Sequence, residues 1–99
     1  MENSLEIGRV VMSKAGRDRG RYFVVVEKLD ENYVMIADGD LRKIDKAKKK
    51  KYKHLKAKKE LISSIQAKIL SGEPVLDSEI RRSLEALGYN KRIPEGKEE

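Results

Sequence analysis

The sequence contains no cysteine and no tryptophan, and its single histidine is His54. Without cysteine there is no disulfide scaffold, no thiol nucleophile and no thiolate zinc site. One histidine cannot form a cluster of imidazole ligands, so we expect no metal site and no cofactor. The absence of cysteine also fits a reducing compartment such as the cytoplasm.

Long apolar runs are missing as well. The longest run, residues 22–26, is far shorter than the roughly 20 residues that a membrane-spanning helix needs, and it suits a buried strand. Residues 1–4 lack the basic and apolar regions of a secretory signal. We therefore expect a soluble cytoplasmic protein that has no membrane partner.

Positive charge is present but unevenly distributed. The 99 residues include 23 Lys/Arg and 17 Asp/Glu, which gives a formal net charge of +6. Residues 42–59, called the lysine-rich segment below, hold 11 basic residues and one acidic residue, Asp45. Residues 1–41 and 60–99 each hold 6 basic and 8 acidic residues. The chain is thus mildly acidic apart from one positive segment, and this pattern indicates a polyanionic partner.

Short strands and turns dominate the first half of the chain. Stretches that favour strands, through β-branched and aromatic residues or through their position between turns, are residues 7–14, 22–29, 33–37, 41–44 and 52–55. Gly16 and Gly20 bracket three polar residues and predict a tight turn, called the first turn below. Short strands with frequent turns are typical of a small antiparallel barrel or sandwich, with Phe23 and Tyr33 in its core.

After residue 59 the apolar residues follow a helical period. They form two stripes, first Leu61, Ile62, Ile65 and Ile69, then Ile80, Leu84 and Leu87. Gly72 and Pro74 separate the stripes, and Asp77 suits the N-cap of the second helix. We predict two short helices that pack on the strands or on each other, with docking onto a neighbouring protein as the alternative. Residues 90–99 predict a polar tail.

No group of residues predicts catalysis. The first turn is not a phosphate-binding P-loop, because its last glycine is followed by Arg21 rather than by Lys-Ser/Thr. The carboxylates of Asp38 and Asp40 lie in a turn, where we expect them to be solvated and to accept hydrogen bonds from their own backbone. Since an acid–base pair needs a pocket that shifts its pKa values, we expect no enzymatic activity and no small-molecule substrate.

Three polyanions could accept the lysine-rich segment. Nucleic acid releases condensed counterions when lysines bind it, and an anionic membrane or an acidic protein would also attract positive charge. No lipid or amphipathic anchor accompanies the segment, which disfavours a membrane. A merely solvated loop fits poorly with 11 positive charges that repel one another. We expect residues 45–51 to be mobile in the free protein and to become ordered on phosphate.

Arginines concentrate elsewhere, at Arg9, Arg17, Arg19 and Arg21 around the first turn. The arginine side chain has a planar fork that reads base edges, whereas lysine is a point charge. The sequence therefore predicts that the lysines bind backbone phosphates. The arginines, with Tyr22 or Tyr52, would make contacts that depend on the shape or the bases of the nucleic acid.

Residues 8–22, followed by the valines of residues 24–26, resemble the KOW motif, in which a turn with a key glycine lies between two apolar strands. Gly20 matches that glycine. The continuation up to residue 55 is similar to one branch, the archaeal and eukaryotic-type large-subunit ribosomal protein fourteen family. The lysines at residues 48–51 depart from the pattern of this family, so a ribosome-associated or bacterial relative is an alternative.

The resemblance implies an SH3-like small antiparallel barrel, a KOW domain, that binds ribosomal RNA without catalysis. It divides the chain into a barrel at residues 1–58, which includes most of the lysine-rich segment, a helical appendage at residues 59–89, and the tail. The resemblance and the charge pattern together give the candidate RNA-binding residues Lys14, Arg17, Arg19, Gly20, Arg21, Arg42, Lys43, Lys46, Lys48, Lys49, Lys50, Lys51, Lys53 and His54.

The expected partners are RNA, in particular ribosomal RNA, and ribosomal proteins that would contact the C-terminal helices. His54 also fits a second interpretation, that of a histidine at a strand edge. The alternative function is a KOW-type protein-interaction module of the transcription or translation machinery.

Overall fold

Five antiparallel strands form the centre of the protein in a computed structural model that describes residues 5–90. The strands are β1 (Arg9–Ser13), β2 (Tyr22–Lys28), β3 (Tyr33–Ala37), β4 (Lys48–Lys51) and β5 (Leu55–Leu61). Two 3₁₀ turns, Ile44–Lys46 and Tyr52–His54, precede β4 and β5, and the helices are α1 (Ser63–Leu70) and α2 (Asp77–Ala86). The predicted mainly β fold with two C-terminal helices is confirmed. The predicted tail, apart from Asn90, lies outside the described residues.

The sheet has the order β4-β3-β2-β1-β5 and is strongly curved. A flat sheet of five strands would separate its edge strands by about 19 Å. Here the edge strands β4 and β5 are consecutive, and the chain between Lys51 and Leu55 reaches at most about 14 Å. Register shifts in the β1–β5 and β2–β3 pairs supply bulges that bend the strands.

A closed barrel is not observed, because no ladder of backbone hydrogen bonds joins β4 to β5 among the described residues. The short connection between these strands forms the 3₁₀ turn Tyr52–His54. The confirmed architecture is therefore a curved, open antiparallel sheet.

Two apolar clusters lie on opposite faces of the sheet, and β2 contributes to both. Phe23 and Val25 belong to the cluster on the concave inner face, which also contains Leu5, Val11, Val34, Ile36 and Leu55. Val24 and Val26 belong to the cluster on the outer face, where they meet Val10, Ala37 and the buried helical residues Ile65, Ile80 and Leu84. Because side chains alternate along a strand, the continuous run of residues 22–26 serves both clusters.

The first three predicted strands are confirmed, but the last two are placed wrongly. Residues 41–44 form a loop that leads into the first 3₁₀ turn, and residues 52–54 form the second 3₁₀ turn. The lysine-rich segment itself supplies β4 and most of β5. These lysines become strands because the backbone of β3 and of β1 offers a pairing edge, which outweighs the weak strand preference of lysine.

Both predicted helices are present, and α1 and α2 pack on the outer face of the sheet through Ile65, Ile80 and Leu84. The N-cap of α2 is Leu76 rather than Asp77, since the Asp77 carboxylate accepts a hydrogen bond from the Ile44 N–H over 2.7 Å. The predicted division at residue 58 falls within β5. Within residues 5–90, no helix is both long and apolar enough to cross a lipid bilayer.

Candidate nucleic-acid interface

The first turn joins β1 to β2 and is held by backbone hydrogen bonds. The Gly20 N–H donates to the Ser13 carbonyl over 2.8 Å, and the Ser13 N–H donates to the Arg21 carbonyl over 3.0 Å. Gly20 has a φ of +85°, which other residues rarely adopt. A Cβ at Gly20 would meet no atom within 4 Å. Glycine is therefore needed there for its backbone conformation, and the surface beside it stays open.

Asp18 lies in the first turn but faces the lysine-rich segment, and it is only 8% exposed. Lys48 Nζ donates to Asp18 Oδ2 over 3.2 Å, and Arg42 Nε lies 3.6 Å from the same oxygen. Burial alone would raise the pKa of this carboxyl. The hydrogen bond from Lys48 and the surrounding positive charges outweigh burial, so the pKa of Asp18 lies below its ordinary value. The only acid of the first turn is thus neutralised from within the protein.

Lys50 is buried on the inner side of β4, and its Nζ donates to the Ala15 carbonyl over 3.2 Å. Burial lowers the pKa of the Lys50 ammonium, and the positive charge of Lys48 lowers it further. These contacts hold β4 against the first turn without any phosphate. The structure places Asp45 and Lys46 in a 3₁₀ turn and Lys48–Lys51 in β4, and the expected mobility of residues 45–51 in the free protein stays a prediction.

Arg21 connects the first turn to the turn that follows β3. Its Nε donates to Asp38 Oδ2 over 2.7 Å, and its Nη2 donates to Asp40 Oδ2 over 3.3 Å. Asp38 is 1% exposed, and its Oδ1 accepts the backbone N–H groups of Asp40 and Arg42. The predicted backbone hydrogen bonds are confirmed for Asp38, but the expectation that Asp38 is solvated is wrong. It is buried because Arg21 compensates its charge.

Arg17 and Arg19 are exposed on the first turn, and neither forms an ion pair with another residue in the range 5–90. They border a shallow groove of about 380 Å³ that also includes the exposed side chain of Leu41. Guanidinium groups can stack on bases and donate to phosphate oxygens, and an apolar side chain beside them adds a surface for contact with a base. The groove is lined by Arg17, Asp18, Arg19, Gly20, Arg21, Leu41 and Asn90.

The second 3₁₀ turn lies beside the first turn. The His54 carbonyl accepts a hydrogen bond from the Lys14 N–H over 2.8 Å, and both Lys14 and Lys53 are exposed. The structure thus brings together candidates that are 40 residues apart in the chain. Lys43 and Lys46 are exposed in the segment that leads to β4.

The four consecutive lysines of β4 are divided between the two faces of the strand. Across the β3–β4 pair, Lys48 and Lys50 lie opposite Ile36 and Val34, which belong to the inner cluster. Lys49 and Lys51 lie opposite Met35 and Tyr33 and face outward. The structure therefore does not bring all four lysines to the first turn.

The aromatic residues are only partly placed as predicted. Phe23 is fully buried, as predicted, whereas Tyr33 is half-buried on the outer face. Tyr22 stacks on Tyr89 with ring centroids 4.1 Å apart, so its ring already has a partner within the protein. Tyr52 is 39% exposed and remains accessible. Burial raises the pKa of Tyr89 to about 12, and the hydrogen bond of its hydroxyl to Glu60 contributes.

The exposed cations around the first turn suit the binding of an extended anion. No group of three or more potential metal-ligating side chains occurs in the part of the chain that the structure describes. Sequence reasoning missed Asp18 and Asp38 as residues that organise the site. For Asp18 the available signal was its position between Arg17 and Arg19, because an acid within a basic turn has nearby cations to pair with. Asp38 has Ala37 and Gly39 as neighbours and carried no such signal.

Comparison with known proteins finds no matching family model. The large ribosomal subunit protein eL14 of Pyrobaculum calidifontis is 31% identical over 95 residues, which cover 96% of this chain and 85% of that protein. The eL14 of Pyrobaculum arsenaticum is 53% identical over 36 residues, covering 36% of this chain and 35% of that protein. The eL14 of Methanococcus vannielii is 40% identical over 40 residues, covering 40% and 51%. These last two matches span less than two thirds of each relative.

Proposed function

The chain belongs to the family of the large ribosomal subunit protein eL14, and from this membership we propose that it is a ribosomal protein that binds ribosomal RNA. Its role is structural and non-enzymatic, and its place of action is the ribosome in the cytoplasm. The RNA contacts are made by the first turn and by the exposed cations between residues 42 and 54.

One observation carries this proposal, namely that the acids near the first turn are already neutralised. Asp18 is paired with Lys48, and Asp38 is paired with Arg21. Arg17 and Arg19 remain exposed beside them. A surface of this kind presents free positive charge on a fixed backbone, which is what phosphate binding needs.

Arg21 and Arg42 take a different part in the proposed interface. The guanidinium of Arg21 donates hydrogen bonds to two carboxylates, and the Nε of Arg42 lies 3.6 Å from Asp18 Oδ2. We assign both residues to holding the turns in place, with the exposed part of Arg42 still able to meet RNA.

We also propose that the curved, open sheet is an SH3-like fold of the KOW type. The order of the strands supports this proposal, since the two edge strands are consecutive and joined by a 3₁₀ turn. The first turn between β1 and β2 supports it as well, because Gly20 has the positive φ that makes glycine necessary there.

The test replaces the two exposed arginines with glutamine, as R17Q/R19Q. The RNA is the large-subunit ribosomal RNA purified from the cells that produce the protein, and the dissociation constant is measured at several salt concentrations. We expect weaker binding. The slope of log K against log salt is negative, and its magnitude should decrease by about 0.9 for each phosphate that the variant no longer binds.

The matched control is R82Q/K56Q, which removes the same charge from two exposed positions on α2 and β5. We expect the control to keep the slope of the wild-type protein. Equal slopes for R17Q/R19Q and the control would refute RNA binding by the first turn. Association with a protein that survives ribonuclease treatment would instead favour the alternative function, a protein-interaction module.

For protein partners we propose the connection between the helices rather than their buried stripes. Leu70 and Leu76 flank this connection and are 66% and 62% exposed, whereas Ile65 is buried against the sheet. We expect L70D/L76D to keep the melting temperature of the isolated protein and to weaken its association with ribosomal particles in sedimentation. A fall in melting temperature with unchanged association would contradict this proposal.

A further inference from the structure

The two helices leave part of the outer face of the sheet uncovered. The outer cluster beneath α1 and α2 reaches Met35, which packs against it, but it does not include Tyr33. On the β4 side of Met35 the outer surface is formed by Tyr33 of β3 and by Lys49 and Lys51 of the edge strand β4, while Glu27 of β2 lies opposite Met35 on its other side. The β4 side of this open end is therefore aromatic and basic.

Tyr33 lies close to both outward-facing lysines. Lys49 Nζ is 4.6 Å from the centroid of the Tyr33 ring, and Lys51 Nζ is 5.8 Å from it. Both distances lie within the range of cation–π attraction. The ring and the two ammonium groups thus form one unit on the surface, opposite in direction from Lys50, which is buried against the first turn.

The second 3₁₀ turn extends this unit. The Tyr52 N–H donates to the Asn32 carbonyl over 2.7 Å, which anchors the turn beside the residue that precedes Tyr33. Tyr52 is 39% exposed, and Lys53 next to it is exposed as well. Two aromatic rings and three ammonium groups therefore occupy neighbouring positions along the β4 edge.

We propose that Tyr33, Lys49, Lys51 and Tyr52 form a second RNA contact, which binds a single-stranded segment by stacking and by phosphate contacts. This inference rests on the proposed function and adds a separate surface to the first turn. Bases stack on aromatic rings regardless of sequence, and lysines follow the backbone. Lys49 covers the ring in the free protein, and its flexible stem lets the ammonium move to a phosphate when a base arrives.

Lysines on an edge strand also prevent unwanted strand pairing. That role would need no aromatic ring and no particular face of the strand. The two roles are therefore separated by testing the ring and the lysines independently.

The experiment measures binding of an oligouridylate of about 12 nucleotides, a length within the range that single-strand sites cover. Fluorescence anisotropy at several salt concentrations gives the affinity and its slope. We expect K49Q/K51Q to reduce the magnitude of the slope of log K against log salt by about 1.4, which corresponds to two phosphate contacts. The control K56Q/K59Q removes the same charge from the opposite edge strand and should keep the slope.

The ring is tested with Y33L and Y33F. Loss of one stacked base weakens binding between about 5-fold and about 150-fold, so we expect this range for Y33L. Y33F keeps the ring and should bind within about 2-fold of the wild-type protein. Melting temperatures of all variants show whether an effect arises from unfolding, in which case affinities are compared below the transition.

The variants distinguish loss of the second contact from loss of RNA binding by the first turn. If K49Q/K51Q and Y33L both match the control while R17Q/R19Q still weakens binding to ribosomal RNA, only the second contact is overturned. If the wild-type protein binds neither RNA, both proposals fall. Loss of slope in K49Q/K51Q with unchanged binding by Y33L would overturn the stacking part and leave a phosphate contact alone.

Discussion

At the scale of single residues, Lys48 and Lys50 share one face of β4 but have opposite energetic roles. Lys48 donates to the buried carboxylate of Asp18, whereas Lys50 donates to the Ala15 carbonyl and has a lowered pKa. A lowered pKa of a lysine means that its charged form is less favourable in the folded protein than in water. The two side chains should therefore respond differently to replacement by methionine, which has a similar length and no charge.

We expect K48M to lower the free energy of unfolding by roughly 1–3 kcal/mol, because a buried carboxylate loses its hydrogen bond. We expect K50M to melt at or above the temperature of the wild-type protein, since it removes a buried charge. Thermal unfolding followed by circular dichroism at neutral pH measures both. Equal destabilisation by the two substitutions would contradict the assignment.

Asp18 also predicts how stability depends on pH. Its folded pKa lies below the ordinary value of 3.8, so the folded protein holds the ionised form more strongly than the unfolded chain does. The stability that Asp18 contributes is present above that ordinary value. It is lost as the pH falls through the folded pKa.

We therefore expect the difference in unfolding free energy between wild type and D18N to be largest at neutral pH and to close below about pH 4. Urea unfolding at a series of pH values measures this difference. A difference that stays constant down to about pH 3 would show that Asp18 acts by packing rather than by its charge.

At the scale of elements, the turn after β3 is fitted closely to the start of α2. Gly39 has a φ of +76°, and a Cβ at this position would overlap the Asp77 carbonyl and lie 2.9 Å from Arg81 N. Gly20 has a similar φ of +85° but open space around it. Comparing substitutions at Gly20 and Gly39 therefore separates the cost of the backbone conformation from the cost of a steric clash.

We expect Gly20→Ala to reduce stability by about 1–2 kcal/mol, the usual value for a residue with a side chain in this conformation. Gly39→Ala should reduce it by clearly more than about 3 kcal/mol, because α2 must also move. Urea denaturation of both variants gives the comparison. Similar losses would mean that α2 is not held against this turn.

Local sequence patterns were sufficient for β1, β2, β3 and both helices. Each of these elements has an apolar period that matches its geometry, such as the run at residues 22–26 that serves both faces of the sheet. β4 has no such pattern, since it consists of four lysines. Its strand is specified by pairing with β3 and by the hydrogen bond of Lys48 to Asp18, which are contacts between distant parts of the chain.

The candidate site could be predicted in composition but not in arrangement. Charge counting indicated which cations are available, and the glycines indicated an exposed turn. The division of β4 into an inner and an outer pair of lysines depends on the strand register, which the sequence of four identical residues does not encode. The burial of Asp38 depends on Arg21 reaching across 17 positions of the chain.

At the scale of the whole molecule, the excess of positive residues behind the net charge of +6 lies on the edges of the sheet and on the turns beside them. β4 and β5 are the two edge strands and contain most of the lysine-rich segment. The outer face of the sheet centre is covered by α1 and α2. The proposed RNA contacts accordingly lie along β4 and the turns beside it, while the covered face contributes stability.

We expect the helices and the sheet to unfold as one cooperative unit, because the outer cluster consists of residues from both. Ile80 of α2 is fully buried there beside Val24 of β2, and Val25 of the same strand lies in the inner cluster. Ile80→Ala should lower the free energy of unfolding by about 2–5 kcal/mol. Since β2 links the two clusters, the loss should reach the inner face as well.

Amide hydrogen exchange measures how far the effect extends. We expect Ile80→Ala to accelerate exchange at the amides of Val25 and Ile36, which are paired between β2 and β3, as well as in α2. The control Leu87→Ala removes a side chain that is 40% exposed and should change stability by less than about 0.5 kcal/mol. If Ile80→Ala accelerated exchange in the helices alone, α1 and α2 would be a separable appendage, and the sheet would fold without them.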